Sequence, residues 1–249
     1  MDLTDRVVLI TGAGAGIGKA TAECCADHGA EVVVTDVDGE AARAVAEEID
    51  AESARLDVRD PESFEAAIEE TVSAFGRIDG LVNNAGIGQP PNPVEDVDEA
   101  TRDAVFGVNL YGTWNGTRAV VPRMKERRSG AIVNVSSLAG QIGLANFSAY
   151  SLTKGAVLNF TRAVATELGP HGVRANAVCP GFVETALSRD YFEASDDPER
   201  ARERMEATYP LKRLGEPEEV AEPIVFLLSE RASYVTGHGF TIDGGYSAG

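Results

Sequence analysis

The sequence predicts a single α/β domain, in which a doubly wound, mostly parallel sheet carries helices on both faces. Short β-branched runs alternate with stretches of helical periodicity along the whole chain, a pattern typical of parallel strands joined by helical crossovers. The run Val32-Val33-Val34 is apolar at successive positions, which indicates a strand buried on both sides. No linker, repeat or low-complexity segment interrupts the pattern, so we assign residues 1–249 to one domain.

Most of the chain fits this alternation, but one segment does not. The segment 184–212 mixes arginines and acidic residues with aromatic side chains, and no strand fits it. It is either a helical excursion on the surface or a lid over a site, because long insertions between core elements are often functional. The clearest strands are 7–10, 31–35, 80–82, 131–135 and 173–178.

The charge balance is strongly acidic. The chain has 40 acidic residues against 22 Lys and Arg, a formal net charge of −18 at pH 7. A surface of this kind repels nucleic acid and anionic membranes, so neither is expected as a partner. Chance acidity and adaptation to a salt-rich cytoplasm both explain the balance, and the scarcity of lysine favours the second, a halophilic protein.

The remaining composition predicts a cytoplasmic protein without a metal site. A polar start leads directly into the first strand with no hydrophobic leader, and the apolar runs are shorter than the ~20 residues of a membrane span. The three cysteines and three histidines show no metal-ligand spacing. The cysteines are therefore interpreted as packing residues kept reduced in the cytosol.

A glycine-rich turn, residues 11–18, separates the first strand from the first helix. Gly12, Gly16 and Gly18 give the spacing G-x-x-x-G-x-G rather than G-x-G-x-x-G. Glycines let backbone N–H groups approach a pyrophosphate, which then lies at the positive end of the helix. Such a turn is weak evidence alone, but a strand before it and a helix after it favour a dinucleotide site.

An acidic residue ends the second strand. Asp36 lies 18 residues after Gly18, where a carboxylate accepts hydrogen bonds from both adenosine ribose hydroxyls and repels a 2′-phosphate. Neither Ala15 nor Val37 supplies a cation for that phosphate. These observations predict NAD rather than NADP as the cofactor.

Tyr150 and Lys154 form the best candidate for chemistry. They are four residues apart in a helical stretch, so both side chains project from one face of the helix. A tyrosine with a pKa of ~10 is a poor acid or base at neutral pH, and a cation ~5 Å away lowers that pKa by roughly two units. Because such a pair is common on helix surfaces, it indicates a catalytic site only when other motifs accompany it.

Those surroundings contain further motifs. Asn134-Val-Ser-Ser137 ends a strand 13 residues before Tyr150, and Asn83-Asn-Ala-Gly86 ends another strand. Asn109 lies in a helical run between them, and Pro180-Gly-Phe-Val-Glu-Thr185 follows the sixth strand. With these motifs, in this order, the sequence strongly resembles the short-chain dehydrogenase/reductase family in its compact form, over essentially the whole chain.

The resemblance implies a Rossmann-type domain with seven strands in the order 3-2-1-4-5-6-7. Residues 1–130 would form a cofactor half, and residues 131–249 a catalytic and substrate half that includes the lid segment 184–212. The activity implied is hydride transfer between NAD and a secondary alcohol or ketone. It also implies a homotetramer acting on a small molecule, which the sequence does not identify.

The resemblance further implies a role for each matching residue. Tyr150 would be the general acid/base, Lys154 would lower its pKa, and Ser137 would hydrogen-bond the substrate oxygen. Asn109 would distort its helix and position a water that relays protons to Lys154. The expected cofactor contacts are Gly12, Gly16, Ile17 and Gly18 at the pyrophosphate, Asp36 at the adenosine ribose, Asp57 and Val58 at the adenine, Asn83, Ala85 and Gly86 at a ribose-contacting turn, Tyr150 and Lys154 at the nicotinamide ribose, and Val183 and Thr185 at the carboxamide.

Several alternatives stay open. Asn83 has a second interpretation, bracing the central sheet, and Asn109 has a second interpretation, satisfying backbone groups. For the whole chain, one rival is a cofactor-sensing binding protein on the same fold, which has no need to keep Ser, Tyr, Lys and Asn together. Another is an NAD-recycling epimerase or dehydratase, which a substrate-dependent rise in free NADH would exclude.

Overall fold

Strands and helices alternate in the computed structural model, which describes residues 1–248. A π-helical stretch, Phe106–Tyr111, separates α4 from α5. The strands are β1 (Val7–Thr11), β2 (Glu31–Asp36), β3 (Glu52–Arg55), β4 (Gly80–Asn83), β5 (Gly130–Val135), β6 (Val173–Pro180) and β7 (Gly239–Ile242). The helices are α1 (Gly16–Asp27), α2 (Gly39–Glu48), α3 (Pro61–Phe75), α4 (Glu99–Val105), α5 (Gly112–Arg127), α6 (Ser148–Leu168), α7 (Ala186–Glu193), α8 (Pro198–Thr208) and α9 (Pro217–Leu228).

The strands form one sheet in the order β3-β2-β1-β4-β5-β6-β7, which confirms the predicted order. Each neighbouring pair is parallel. The sequence patterns placed the five strands β1, β2, β4, β5 and β6, but did not place β3 and β7. Those two lie at the edges of the sheet, where a strand is not covered on both sides and so lacks a continuous apolar run.

Helices cover both faces because the side chains of each strand alternate between them. Val8 and Ile10 of β1 belong to the apolar core that the sheet forms with α1, α2 and α9. Leu9, between them, belongs to the core formed with α3, α5 and α6. The central strands therefore have to be apolar at successive positions. No helix within residues 1–248 is both long and apolar enough to cross a bilayer.

The carboxyl ends of parallel strands meet at one edge of the sheet, and this edge carries the candidate site. The strand order reverses between β1 and β4, so the connections leaving these two strands diverge and open a crevice. The motifs identified in the sequence follow β1, β2, β4, β5 and β6, so the fold brings all of them to this edge.

Candidate active site

The glycine-rich turn requires glycine for steric reasons. Gly12 and Gly16 have φ of 63° and 56°, in the left-handed region. A Cβ on Gly18 would lie 2.2 Å from the carbonyl oxygen of Gly12. The residue before α1 is Ala15, which makes no side-chain cap, so the first-turn N–H groups around Ile17 remain available to an anion. The turn is a cradle that the pyrophosphate of a dinucleotide fits.

Two side chains that the sequence analysis missed fasten this turn to the end of β4. Asn84 donates its side-chain amide to the carbonyl oxygens of Thr11 and Gly12, both at 2.9 Å. Thr11 Oγ1 accepts hydrogen bonds from the backbone N–H groups of Asn84 and Ala85, both at 3.1 Å. A Cβ on Gly12 would lie 2.8 Å from the Cα of Ala85. The sequence could have indicated Thr11 and Asn84 only through their positions at the ends of β1 and β4, which are neighbouring strands.

Asp36 lies at the end of β2, against the glycine-rich turn. Its Oδ2 accepts the N–H of Gly14 and its Oδ1 accepts the N–H of Asp38, both at 3.0 Å. These bonds fix the direction of the carboxylate beside the turn. Arg55 of the neighbouring strand β3 donates to the carbonyl oxygen of Val37 at 3.2 Å. Arg55 is therefore a cation near the end of β2 that the sequence analysis missed.

The residues proposed to contact adenine, Asp57 and Val58, follow β3. The hydrogen-bonded guanidinium of Arg59 lowers the pKa of Asp57, with Nε 2.9 Å from Oδ1. Val58 is buried against Gly112, and its carbonyl oxygen accepts the side-chain amide of Asn115 at 3.0 Å. Both residues already have partners within the protein, and their contact with adenine stays a prediction.

Asn83 at the end of β4 is buried, but its side chain serves the sheet. Its Nδ2 donates to Oδ1 of Asn134 on β5 at 2.8 Å and to Oγ1 of Thr117 on α5 at 3.2 Å. These contacts match the second interpretation, in which Asn83 braces the central sheet. A contact of Asn83 with the cofactor stays a prediction.

Asn109 is 1% exposed and lies in the π-helical stretch between α4 and α5. Its Oδ1 accepts the N–H of Ile87 at 2.8 Å, and its Nδ2 donates to the carbonyl oxygen of Ile87 at 3.0 Å. The helix is locally distorted, as the resemblance implies. The side chain satisfies backbone groups of the segment after β4, as the second interpretation expected, and the water relay stays a prediction.

Tyr150 and Lys154 lie one turn apart on α6, beside the end of β5. Nζ of Lys154 is 5.6 Å from the centre of the Tyr150 ring and donates to the carbonyl oxygen of Val135 at 2.8 Å. A Cβ on Gly86 would lie 3.3 Å from this Nζ, so Lys154 reaches the turn after β4. The pair therefore adjoins the turn predicted to contact ribose.

The pKa of Tyr150 differs from the sequence-based expectation. Burial raises it above its ordinary value, and a hydrogen bond with Ser137 offsets part of that increase. We expected Lys154 to lower this pKa. Lys154 is itself 4% exposed, and burial lowers its own pKa to about 8, so its ammonium form still predominates at neutral pH and its effect on Tyr150 stays a prediction.

The two serines after β5 have different partners. Ser137 Oγ accepts the N–H of Ala139 at 3.1 Å, so its own hydroxyl proton stays available for donation. Ser136 donates to the carbonyl oxygen of Lys154 at 2.8 Å, which is a structural contact within the protein. Ser137 is therefore the serine placed to act on Tyr150 and on a substrate oxygen.

The lid segment contains helices α7 and α8 and begins beside the glycine-rich turn. A Cβ on Gly16 would lie 3.2 Å from Cγ2 of Thr185, which places Thr185 next to the start of α1. Val183 pairs with Gly215 in an isolated parallel bridge. The two ends of the lid segment are thereby held together at the crevice, and the carboxamide contacts of Val183 and Thr185 stay predictions.

An apolar cavity of about 150 Å³ lies between the lid segment and the residues that precede Tyr150. None of its lining residues is charged. Leu138 in its wall directly follows Ser137, and Phe147 is the residue before α6, so the cavity adjoins the candidate site. Aromatic side chains and one methionine dominate the lining: Phe147, Phe182, Tyr191, Met205, Tyr209 and Tyr246.

Comparison with known proteins identifies the class of this one. A family model described as enoyl-(acyl carrier protein) reductase matches residues 12–247. The chain is 42% identical to a 3-oxoacyl-(acyl-carrier-protein) reductase of Thermotoga maritima, over 98% of this chain and 99% of that one. It is 40% identical to levodione reductase of Leifsonia aquatica, over 98% and 95%. The chain belongs to the short-chain dehydrogenase/reductase family.

Solved structures agree with this assignment. The crystal structure of levodione reductase matches with a TM-score of 0.95 at 41% identity, over 99% of each chain. A 3-ketoacyl-(acyl-carrier-protein) reductase from Brucella melitensis, complexed with NADH, matches with a TM-score of 0.91 at 36% identity, over 99% of this chain and 100% of that one. The protein is accordingly an oxidoreductase of the nicotinamide-dependent kind, and the cradle of the glycine-rich turn fits that cofactor.

Proposed function

We propose that this protein is an NAD-preferring dehydrogenase or ketone reductase that acts on an uncharged secondary alcohol or ketone. The observation that carries the proposal is the arrangement of Tyr150, Ser137 and Lys154 at the same sheet edge as the glycine-rich turn. A proton-transferring group thus adjoins the region in which a nicotinamide ring would lie. Such proximity is what hydride transfer between a cofactor and an alcohol carbon requires.

Each residue of this arrangement has a distinct task. The bound nicotinamide supplies the hydride acceptor or donor. Tyr150 takes the proton of the alcohol hydroxyl during oxidation and returns it to the carbonyl oxygen during reduction. Ser137 donates a hydrogen bond to the substrate oxygen and keeps its proton, and Lys154 would hold the hydroxyls of the nicotinamide ribose. Because burial raises the pKa of Tyr150, its hydroxyl is protonated at neutral pH and can donate that proton to the carbonyl oxygen of a ketone.

The preference for NAD rests on Asp36. Its carboxylate is held beside the glycine-rich turn by Gly14 and Asp38, so it cannot easily turn away from a 2′-phosphate. An unfavourable contact of this kind costs more than the ~1.4 kcal/mol that corresponds to tenfold discrimination. We expect NAD to be favoured over NADP by at least tenfold in kcat/KM.

The uncharged lining of the cavity supports an uncharged substrate. A carboxylate or phosphate in this cavity would lose its water without gaining a cation, which is strongly unfavourable. Aromatic side chains such as Tyr191 and Phe182 suit the faces of a compact ring. Levodione reductase, one of the relatives, is named for a substrate that is a ketone.

A matched substrate panel tests this proposal. We would measure the formation of NADH from NAD, and of NADPH from NADP, with cyclohexanol, with the anion 4-hydroxycyclohexanecarboxylate and with a 3-hydroxyacyl thioester. The uncharged ring should exceed the anionic ring by tenfold or more in kcat/KM. Cofactor binding without turnover of any substrate would favour a sensing protein, and substrate conversion without free NADH would favour an epimerase or dehydratase.

The assembly and the charge complete the proposal. Three large side chains are more than half exposed on the π-helical stretch, α5 and α6, where they suit contacts in the homotetramer that the resemblance implies: Tyr111, Trp114 and Leu152. We propose that tetramer, in a halophilic and cytoplasmic protein whose net charge of −18 is screened by salt. Melting temperature and tetramer content should rise between ~0.1 M and ~2 M KCl. A tetramer of unchanged stability at low salt would refute the halophilic assignment.

A further inference from the structure

Gln89 is a buried polar residue that the catalytic scheme above does not use. It lies in the loop after β4, three residues beyond Gly86, and it is 5% exposed. A primary amide at this depth needs hydrogen-bond partners, because a buried amide without them is costly. Its partners show what this side chain holds in place.

Both ends of the Gln89 amide are used at the start of α6. Oε1 accepts the backbone N–H of Tyr150 at 3.0 Å, and Nε2 donates to the carbonyl oxygen of Asn146 at 3.1 Å. The residue before α6, Phe147, has no side chain that can cap the helix. Gln89 therefore supplies, from a different loop, an acceptor for a first-turn N–H that the helix cannot satisfy itself.

The other end of this connection reaches the cofactor side of the crevice. Ile87, two residues before Gln89, is gripped by the side chain of Asn109 through both its N–H and its carbonyl oxygen. Gly86 next to it approaches Nζ of Lys154 so closely that a Cβ there would lie 3.3 Å away. The segment 86–89 thus touches Lys154, Asn109 and Tyr150 in turn.

We propose that Gln89 is a positioning residue that sets the place of Tyr150 relative to the turn after β4. This inference rests on the proposed function, since it assigns Tyr150 the proton transfer. Gln89 holds the backbone of Tyr150, so it controls how the phenol meets Ser137 and the substrate oxygen. Misplacement of a reacting group by about 1 Å costs on the order of 10²-fold in rate.

Gln89→Leu tests the proposal, because leucine keeps the apolar volume and removes both hydrogen bonds. The chain's other glutamine provides the matched control: Gln141 bonds Thr241 and is exposed. We expect Gln89→Leu to lower kcat by tenfold or more while the Kd for NADH changes less than twofold. Gln141→Leu should leave both values within twofold of the unmodified protein.

A pH profile separates positioning from general damage to the fold. Because the hydrogen bond with Ser137 lowers the pKa of Tyr150, loosening it raises that pKa. The rise of kcat/KM for alcohol oxidation should therefore move to higher pH in Gln89→Leu. Gln89→Glu keeps the acceptor for the N–H of Tyr150 and should recover part of the kcat.

Two results would overturn the inference. One is a kcat of Gln89→Leu within twofold of the unmodified protein, measured where Tyr150→Phe has lost its activity. The other is a lower kcat accompanied by a lower melting temperature and an unmoved pH profile, which describes a purely structural residue. Failure of the proposed function looks different, because Tyr150→Phe would then keep its activity.

Discussion

The glycine-rich turn and the lid segment border the same crevice but are held by different kinds of contact. The turn is fixed by backbone approaches and by the side-chain amide of Asn84, and a Cβ at Gly18 would collide with a carbonyl oxygen. The lid segment is held by apolar packing around Phe192 and Tyr209 and by exposed ion pairs of Arg202. Backbone contacts restrict a position to one residue type, whereas apolar packing accepts many side chains of suitable volume.

The difference explains why the chemistry of this protein can be inferred from its sequence but its substrate cannot. At Gly18 there is no room for a Cβ, so the position requires glycine and the sequence itself reveals the close contact. Where volume is all that counts, as at Met205 in the cavity, neighbouring positions compensate for one another. Variants on each side of the crevice therefore test this difference.

The largest effect is expected for Gly18→Ala. Its Cβ would lie 2.2 Å from the carbonyl oxygen of Gly12, so the turn must shift and the Kd for NADH should rise by on the order of 10–100-fold. Gly143→Ala is the matched control, because a Cβ there meets nothing within 4 Å. NADH fluorescence titration measures both variants. Equal affinities would show that the turn is as permissive as the lid segment.

The next effect concerns Ser137→Ala. Removing the hydroxyl takes away the hydrogen bond that lowers the pKa of Tyr150, so that pKa rises further. Alcohol oxidation needs the deprotonated tyrosine, so its rate should begin to rise at higher pH. Ketone reduction needs the protonated tyrosine, so the pH at which the rate of ketone reduction falls should also move upward. We expect kcat at neutral pH to fall by ~10²-fold as well, and unmoved profiles of kcat/KM against pH would contradict this role.

A smaller effect is expected at the adenosine end. Asp36→Ala should narrow the preference for NAD over NADP by about tenfold, mainly through weaker NAD binding. Arg55 lies at this edge and donates to Val37, so it can attract the 2′-phosphate once the carboxylate is gone. Adding Arg55→Ala to Asp36→Ala should then reduce NADP use again. If both proteins use NADP equally well, Arg55 takes no part in cofactor selection.

The smallest effect is expected in the lid segment. Arg202 pairs with Glu184 and Glu206 at the surface, and exposed pairs of this kind contribute little. Arg202→Ala should change kcat/KM for an uncharged alcohol by less than twofold. A tenfold loss in the NADH-formation assay would mean that charge, and not apolar packing, governs this side of the crevice.

The central strands and the glycine-rich turn could be predicted from the sequence because each leaves a local pattern, whereas the sheet order followed from the family resemblance. The sequence analysis missed Asn84 and Gln89 because their partners are distant along the chain: Thr11 is 73 residues from Asn84, and Tyr150 is 61 residues from Gln89. Nothing within a local window marks such contacts. The burial that raises the pKa of Tyr150 was also missed, since spacing along a helix does not reveal burial.

The central claim is that Tyr150 transfers the proton, and Tyr150→Phe tests it most directly. This change removes the hydroxyl and keeps the ring beside Lys154. The measurement is kcat for an uncharged secondary alcohol together with the Kd for NADH. We expect kcat to fall by ~10²-fold or more, the size of a lost general acid/base, while the Kd stays nearly unchanged. A variant that kept more than a tenth of the activity would contradict the mechanism.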